Sequence, residues 1–311
     1  MRVTNLMMVN NLKRAMNINT RNLNMYQERL SSGRRIHRPS DDPVGVINTL
    51  RYSSTIVEAE EYLNKINEAK NFLNTTDSAL GNVTDIIHRA NDLTIQGING
   101  TNSEGSREAI AKEIRELADQ IAVIANTIFG SKHIFAGTNV TESPMIKDGD
   151  TWQWQGNNEE MFLEIGAGVT IPINSVMGEY FFNPDFDADT NPDNPGINQL
   201  LDDIANNLEN TNDEPQEDNI AKLQKNLSGL QSILDEFVAQ RAVVGARVNR
   251  LELQENRLES TRIDYTELLS KNQDADMAEV IMDLKMQENV YRASLAAGAR
   301  IIMPSLVDFL R

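Results

Sequence analysis

A mainly α-helical chain is predicted: an elongated rod of long heptad helices, with paired N- and C-terminal helices and a small β-rich insert. Three observations predict it. Apolar residues recur every seven positions at both ends of the chain and through two long internal stretches. Aromatic residues make up only 5% of the 311 residues, which suits narrow seams of Leu, Ile, Val, Met and Ala better than a thick globular interior. The heptad pattern breaks near residue 141, where short alternating runs and Gly-rich turns take over until about residue 196.

The first helix is expected from Thr4 to about Ser32. Val9, Met16, Leu23 and Leu30 fall seven apart, with Leu6 one turn earlier, and Leu12, Asn19 and Tyr26 form a second, partly polar row. The many Asn residues lower helix propensity, so this helix is marginal on its own in water. Ser31-Ser32-Gly33 ends it. Arg34 to Gly45 reads as an irregular linker in which Asp42 precedes Pro43, a pairing that caps a helix and starts its first turn.

A second helix follows over about Val44–Ile98, with Ile66, Leu73, Leu80 and Ile87 in one row and Ala69, Thr76, Val83 and Ala90 in its companion. A third opens near Ser106. Ile110, Leu117 and Ile124 alternate there with Ile114, Ile121 and Ile128 until Gly130. In the middle, Thr151–Gln155, Met161–Ile165 and Val169–Ile173 read as strands, the last two joined by a hairpin turn at Gly166-Ala167-Gly168. Asn183–Gly196 is a loop rich in Asp, Asn and Pro, and a short helix is expected over Ile197–Glu209.

The longest pattern comes next. Leu223, Leu230, Phe237, Val244, Leu251, Leu258 and Tyr265 are all seven apart, while the companion row carries Arg241, Glu255 and Arg262. A helix from Gln216 to Leu269 spans roughly 80 Å at 1.5 Å per residue, more than a compact domain requires. The last segment, Met277 to Leu310, places Met277, Leu284 and Tyr291 in one row and Ile281, Leu295, Ile302 and Phe309 in the next, with Pro304 set to bend or end it.

Charge is unevenly spread. The net charge is −17; residues 1–51 hold nine Arg or Lys against three Asp or Glu, and residues 141–220 hold one Lys against eighteen Asp or Glu. So acidic a middle excludes packing against nucleic acid or an anionic membrane and reads as a solvated outer surface. The basic start interleaves its charges with heptad positions, as a surface that meets acidic neighbours would.

Catalysis is not expected. There is no cysteine, and His37, His88 and His133 stand far apart without ligand spacing. Asp185, Asp187 and Asp189 resemble the start of a calcium loop, but Thr190 stands where its glycine belongs and Gly196 where its glutamate belongs, so a solvated acidic loop is expected. No cofactor and no metal are expected. No apolar run approaches a membrane span, and the Asn-rich start lacks the apolar core of a secretory signal peptide.

Several stretches resemble the flagellin superfamily. They are Leu30-Ser31-Ser32-Gly33-Arg34-Arg35-Ile36 with Ser40-Asp41-Asp42-Pro43-Val44-Gly45, then Asn99–Ser103 with Arg107 and Phe129-Gly130, and Arg292-Ala293-Ser294-Leu295 through Arg311. The resemblance covers about 1–140 and 215–311. Met1-Arg2-Val3-Thr4, Pro43 where flagellins usually carry Ala, and the small insert lean to the hook-associated protein 3 family, which forms a layer between hook and filament. A minor flagellin is the first alternative and an intracellular coiled-coil scaffold the second.

The resemblance implies an inner domain of 1–44 with 270–311, a helical domain of 45–140 with 197–269, and an outward insert at 141–196. It implies self-assembly into a ring, hook-associated protein 1 on one side and flagellin on the other. It also implies a flagellar export chaperone, passage through the flagellar type III channel without a cleaved signal, and an extracellular location in the flagellum. The expected assembly surfaces are Leu6, Val9, Met16, Leu23 and Leu30 on the first helix, and Met277, Leu284, Tyr291, Leu295, Ile302 and Phe309 on the last. Arg34, Arg35, Arg38, Asp41 and Asp42 are expected to form an inter-subunit loop. Narrow seams at the two ends further predict termini that are disordered in the free chain and fold on assembly.

Overall fold

The computed structural model describes residues 5–99, 104–149, 151–183, 195–209 and 216–302. Its helices are α1 (Asn5–Ser32), α2 (Pro43–Ile98), α3 (Glu104–Ala125), α4 (Gly178–Phe181), α5 (Ile197–Glu209), α6 (Gln216–Gln273) and α7 (Met277–Ile302). Three antiparallel pairs of short strands lie between α3 and α4: β1 (Ile128–Phe129) with β2 (Lys132–His133), β3 (Met145–Asp148) with β4 (Thr151–Trp154), and β5 (Phe162–Gly166) with β6 (Val169–Pro172). The fold is mainly α, as the heptad rows predict. No described helix is long and apolar enough to cross a membrane. Asp185, Asp187, Asp189, Pro304 and Phe309 lie outside the described residues.

The chain divides into two compact units, 1–58 with 260–311 and 59–259; α2 and α6 each contribute residues to both.

In the second unit the heptad rows become a core. Ile66, Leu73, Leu80 and Ile87 of α2, Ile114 and Ile121 of α3, and Leu230, Phe237, Val244 and Leu251 of α6 are fully buried in one cluster. The polar companion row of α6 is explained by charge pairing: Arg241 Nε donates to Asp77 at 3.0 Å and Lys70 Nζ to Glu255 at 2.8 Å. One aromatic cluster forms around α4, where Phe181 stacks on Trp154 at 6.0 Å and meets Phe237 edge-on at 5.4 Å. That one-turn helix has no periodicity to announce it.

One row ends earlier than its pattern. Ile128 is exposed in β1 rather than buried on α3, because α3 stops at Ala125. Asn126 then uses its side-chain amide as a piece of strand, donating to the Met145 carbonyl and accepting from the Met145 N–H, each at 2.8 Å. Asp119 of α3 pins the same β3–β4 hairpin, accepting from Trp152 Nε1 at 2.8 Å and Lys147 Nζ at 3.1 Å. The β5–β6 turn is where the glycines predict it: Gly168 has φ +70°, open to glycine and strained for other residues.

In the first unit α1 and α7 pack on one another. Contacts run in opposite senses along the two helices. Tyr26 meets Asp283, Asn19 meets Gln287 and donates to Ser294 Oγ at 3.1 Å, and Leu12 meets Gly298. The pair is therefore antiparallel. The helices approach closely at Gly298, where a Cβ would stand 2.8 Å from Leu12 Cδ2 and the Leu12 side chain would have to shift.

Candidate functional site

The first unit has little interior. Among its described residues only Ile36, Val280 and Leu284 are buried hydrophobics. Two helices side by side have one shared seam and leave the rest of their surfaces in water. The seam on α7 is Val280, Leu284, Gln287, Tyr291, Ser294 and Gly298, spaced by threes and fours, and all are buried or half-buried. On α1 it is Leu12, Met16, Asn19, Leu23, Tyr26 and Leu30, all half-buried. Met16, Leu23, Leu30, Leu284 and Tyr291, expected as assembly positions, thus lie on the face that meets the other terminal helix of the same chain. Val9, Met277 and Leu295 are exposed. Leu6 and Ile302 sit within α1 and α7, and nothing further is described of their side chains.

Outside that seam two apolar stripes face water. On α1 they are Met7, Ile18 and Met25; on α7, Met282, Met286 and Val290. Met7 and Met25 are 18 residues apart, about five helical turns, with Ile18 between them on the same face. Met282, Met286 and Val290 advance by four. These positions were not singled out by the heptad reading, because a heptad row selects the seam. The signal available in the sequence was a second set of apolar residues off the seam, where a finished two-helix surface would be polar.

The connectors at the foot of the helix pair are tied together. Gly33, with φ +70°, closes α1, and its N–H reaches the Arg29 carbonyl at 2.9 Å. The Arg35 N–H then donates to the Gln273 carbonyl at 2.7 Å and the Ala275 N–H to the Gly33 carbonyl at 2.9 Å, a short antiparallel bridge between the α1–α2 and α6–α7 connectors. Asp42 caps α2 as its place before Pro43 predicts: Oδ1 accepts the Gly45 N–H at 2.9 Å. A Cβ on Gly45 would come within 2.5 Å of both Asp42 Oδ2 and Ile36 Cδ1, so a larger residue would displace the capping carboxylate or the Ile36 side chain. Asn272 donates to the Gly45 carbonyl at 2.7 Å, and Arg35 Nη2 donates to the Asn272 carbonyl at 2.9 Å and to Asp42 Oδ2 at 3.3 Å.

The five loop residues therefore have different roles. Asp41 accepts from the backbone N–H groups of Arg38 and His37 at 2.9 and 3.2 Å, and these bonds hold its carboxyl below the ordinary range. The Gly45 N–H, with Arg35 beside it, does the same for Asp42. Arg35 and Asp42 are engaged within the chain as a latch between connectors, and Asp41 holds a turn within its own loop. Arg34 lies against Gln273, whose amide oxygen, once turned, accepts from Nε at 3.0 Å. Arg38 is open to solvent, its side chain 71% exposed and 4.0 Å from Glu28. With Arg21 and Arg29 it borders a groove between the outer face of α1 and the loop, floored by Met25.

What such an arrangement can do is pack and pair; it offers surfaces. Among the described residues no group of three or more His, Asp or Glu is placed to hold a metal ion.

The family described as the bacterial flagellin N-terminal helical region matches residues 3–140. The flagellin of Clostridium tyrobutyricum is 33% identical over 135 residues, 43% of this chain and 36% of its own length. Flagellar hook-associated protein 3 of Escherichia coli is 26% identical over 280 residues, covering 88% of this chain and 88% of its own. The crystal structure of flagellar hook associated protein-3 from Legionella pneumophila shares the fold, with a TM-score of 0.62 at 17% identity over 71% of this chain and 97% of that one. The likeness to this flagellin covers less than half the chain, and the likeness to hook-associated protein 3 of Escherichia coli extends over most of both proteins. The chain is thus similar to flagellins over its N-terminal helical region and to flagellar hook-associated protein 3 over most of its length.

Proposed function

We propose that this protein is a structural component of the bacterial flagellum that builds the layer joining hook to filament. Copies of the chain form a ring, with hook-associated protein 1 on the hook side and flagellin on the filament side. The observation that carries the assembly mechanism is the α1–α7 pair, which satisfies one seam internally and leaves Met7, Ile18 and Met25 on one helix and Met282, Met286 and Val290 on the other uncovered. Burying exposed apolar side chains yields about 25 cal/mol per Å², and a ring of neighbours gives each stripe a surface to bury against. Arg34 and Arg38 extend the contact as charges, while Arg35, Asp41 and Asp42 set the loop's shape. The role is structural, not catalytic.

Within this reading the inner assembly domain is 1–44 with 270–311, the helical domain 45–140 with 197–269, and the acidic insert 141–196 faces outward. The chain is exported through the flagellar type III channel after release from a chaperone. Terminal helices of low intrinsic propensity suit passage in unfolded form.

The test is complementation. In cells lacking their own hook-associated protein 3, this chain restores filaments, and Ile18→Lys does not, although its circular dichroism and melting temperature match the parent. Normal filaments with Ile18→Lys remove the α1 stripe from the interface. Failure of the unaltered, secreted chain to support filaments defeats the junction reading itself.

A further inference from the structure

Methionine exposure differs between the two units, with Met16 of the first and Met161 of the second half-buried. Met145 and Met177 of the second unit are 1% and 0% exposed. Met7, Met8, Met25, Met277, Met282 and Met286 of the first unit are all exposed, the last two at 66% and 59%. A thioether in water is open to two-electron oxidants, and one enclosed in a packed core is shielded from them. Met282 and Met286 lie one turn apart on the same face of α7, so two sulfoxides there would stand side by side.

We propose that Met282 and Met286 are a reversible oxidation site through which hydroperoxides control whether a free copy of this chain can assemble. The inference rests on the reading of the outer α7 face as an assembly surface. In the step itself the thioether sulfur attacks one oxygen of the hydroperoxide. The O–O bond breaks and an S–O bond forms. The sulfur gives up two electrons, and the departing oxygen takes a proton and leaves as water or an alcohol.

The product side chain has nearly the same reach but carries a strong hydrogen-bond acceptor. In the free chain that acceptor points into solvent, where water satisfies it, so the fold is undisturbed. Between two copies it must be buried against apolar side chains with no donor, or the contact must open. Once a copy is assembled the same packing covers the sulfurs, so the site reports on copies in transit. Reversal requires a thiol-dependent methionine sulfoxide reductase, which returns the oxygen as water.

The experiment uses the full-length chain and hydrogen peroxide at a limiting dose. Peptide mass spectrometry locates the sulfoxides, circular dichroism follows the fold, and protein supplied from outside to cells lacking their own copy is scored for filament growth. Met282 and Met286 are expected to oxidise roughly tenfold faster or more than Met145 and Met177. The dichroism spectrum stays unchanged, filament growth falls by roughly tenfold, and treatment with the reductase and a thiol restores it. A Met282→Leu, Met286→Leu double variant grows filaments before and after the same dose.

Oxidised protein that assembles like the untreated protein overturns the proposal. So does a double variant that loses assembly on oxidation as fully as the parent, or sulfoxides reduced without recovery. If the double variant fails before any oxidation, recovery with the reductase decides the matter without a substitution. Met282→Lys separates the two layers of inference. If it assembles normally, the α7 face reading fails; if it is blocked while oxidised wild type assembles, the oxidation site alone fails.

Discussion

The two units use the same helical vocabulary to different ends. In the second, α2, α3, α5 and α6 surround a shared interior, and a heptad row such as Ile66, Leu73, Leu80 and Ile87 meets apolar partners and is buried completely. In the first, the main packing of α1 and α7 is on each other, so a row of the same spacing reaches half-burial on α1 and leaves exposed stripes on both helices. The lesson is that heptad spacing specifies a seam but not how many helices share it. A row that finds enough neighbours within its chain becomes a core; one that does not is available to a neighbouring copy.

The comparison can be tested from its strongest side. Phe237, fully buried and edge-on to Phe181, anchors the second unit. Phe237→Ala should cost about 3–5 kcal/mol, read as a lower urea midpoint for that unit's transition. An unchanged midpoint would mean that the second unit is not the stable body described.

In the first unit the close approach at Gly298 is the sensitive point. Gly298→Val places methyl groups against Leu12 and should cost about 1–3 kcal/mol. Hydrogen exchange should quicken along α1 and α7 while the second unit stays protected, and uniform quickening would deny the two units their independence.

Smaller is the loss of the latch. Arg35→Gln removes charge-assisted bonds to Asn272 and Asp42 at an exposed site, with an expected cost of about 1 kcal/mol or less. Faster proteolysis should be confined to residues 33–42 and 270–276. Cleavage spreading into the second unit would show that the latch supports more than the connectors.

The smallest expected effect is a pH dependence inside the second unit. Burial raises the Asp202 carboxyl from 3.8 to about 6, against the opposing charge of Arg115 and with Asp203, Asp119 and Lys147 nearby. The folded state then holds this proton more tightly than the unfolded state. Its contribution to stability therefore falls as pH rises from 3.8 to about 6. Asp202→Asn should flatten that window and raise the melting temperature at neutral pH by ~2 °C, solvent screening included. A melting temperature that is lower at neutral pH would mean the carboxylate is stabilising there.

Much of this was legible beforehand. Ile197–Glu209 is helical over the expected span, and Asp42-Pro43 starts α2 where its capping chemistry predicts. The β5–β6 turn falls at Gly166–Gly168. Each rests on local chemistry: a period, a cap or a glycine. The one-turn helix α4, the Asn126 pairing with Met145 and the partners of the α6 charges, Asp77 and Lys70, were not legible, because each depends on residues elsewhere in the sequence; the two-residue strand at Ile128 is too short to carry a period of its own.

The candidate site divides the same way. By itself the sequence determined that both ends are heptad helices and that Arg34–Asp42 is a charged connector, since spacing and composition are properties of the chain. Only the tertiary structure decided which apolar residues the α1–α7 seam consumes and which remain. The same holds for Arg35 and Asp42 turning inward to the latch while Arg38 stays in solvent. Burial belongs to a pair of surfaces, and a sequence lists one surface at a time.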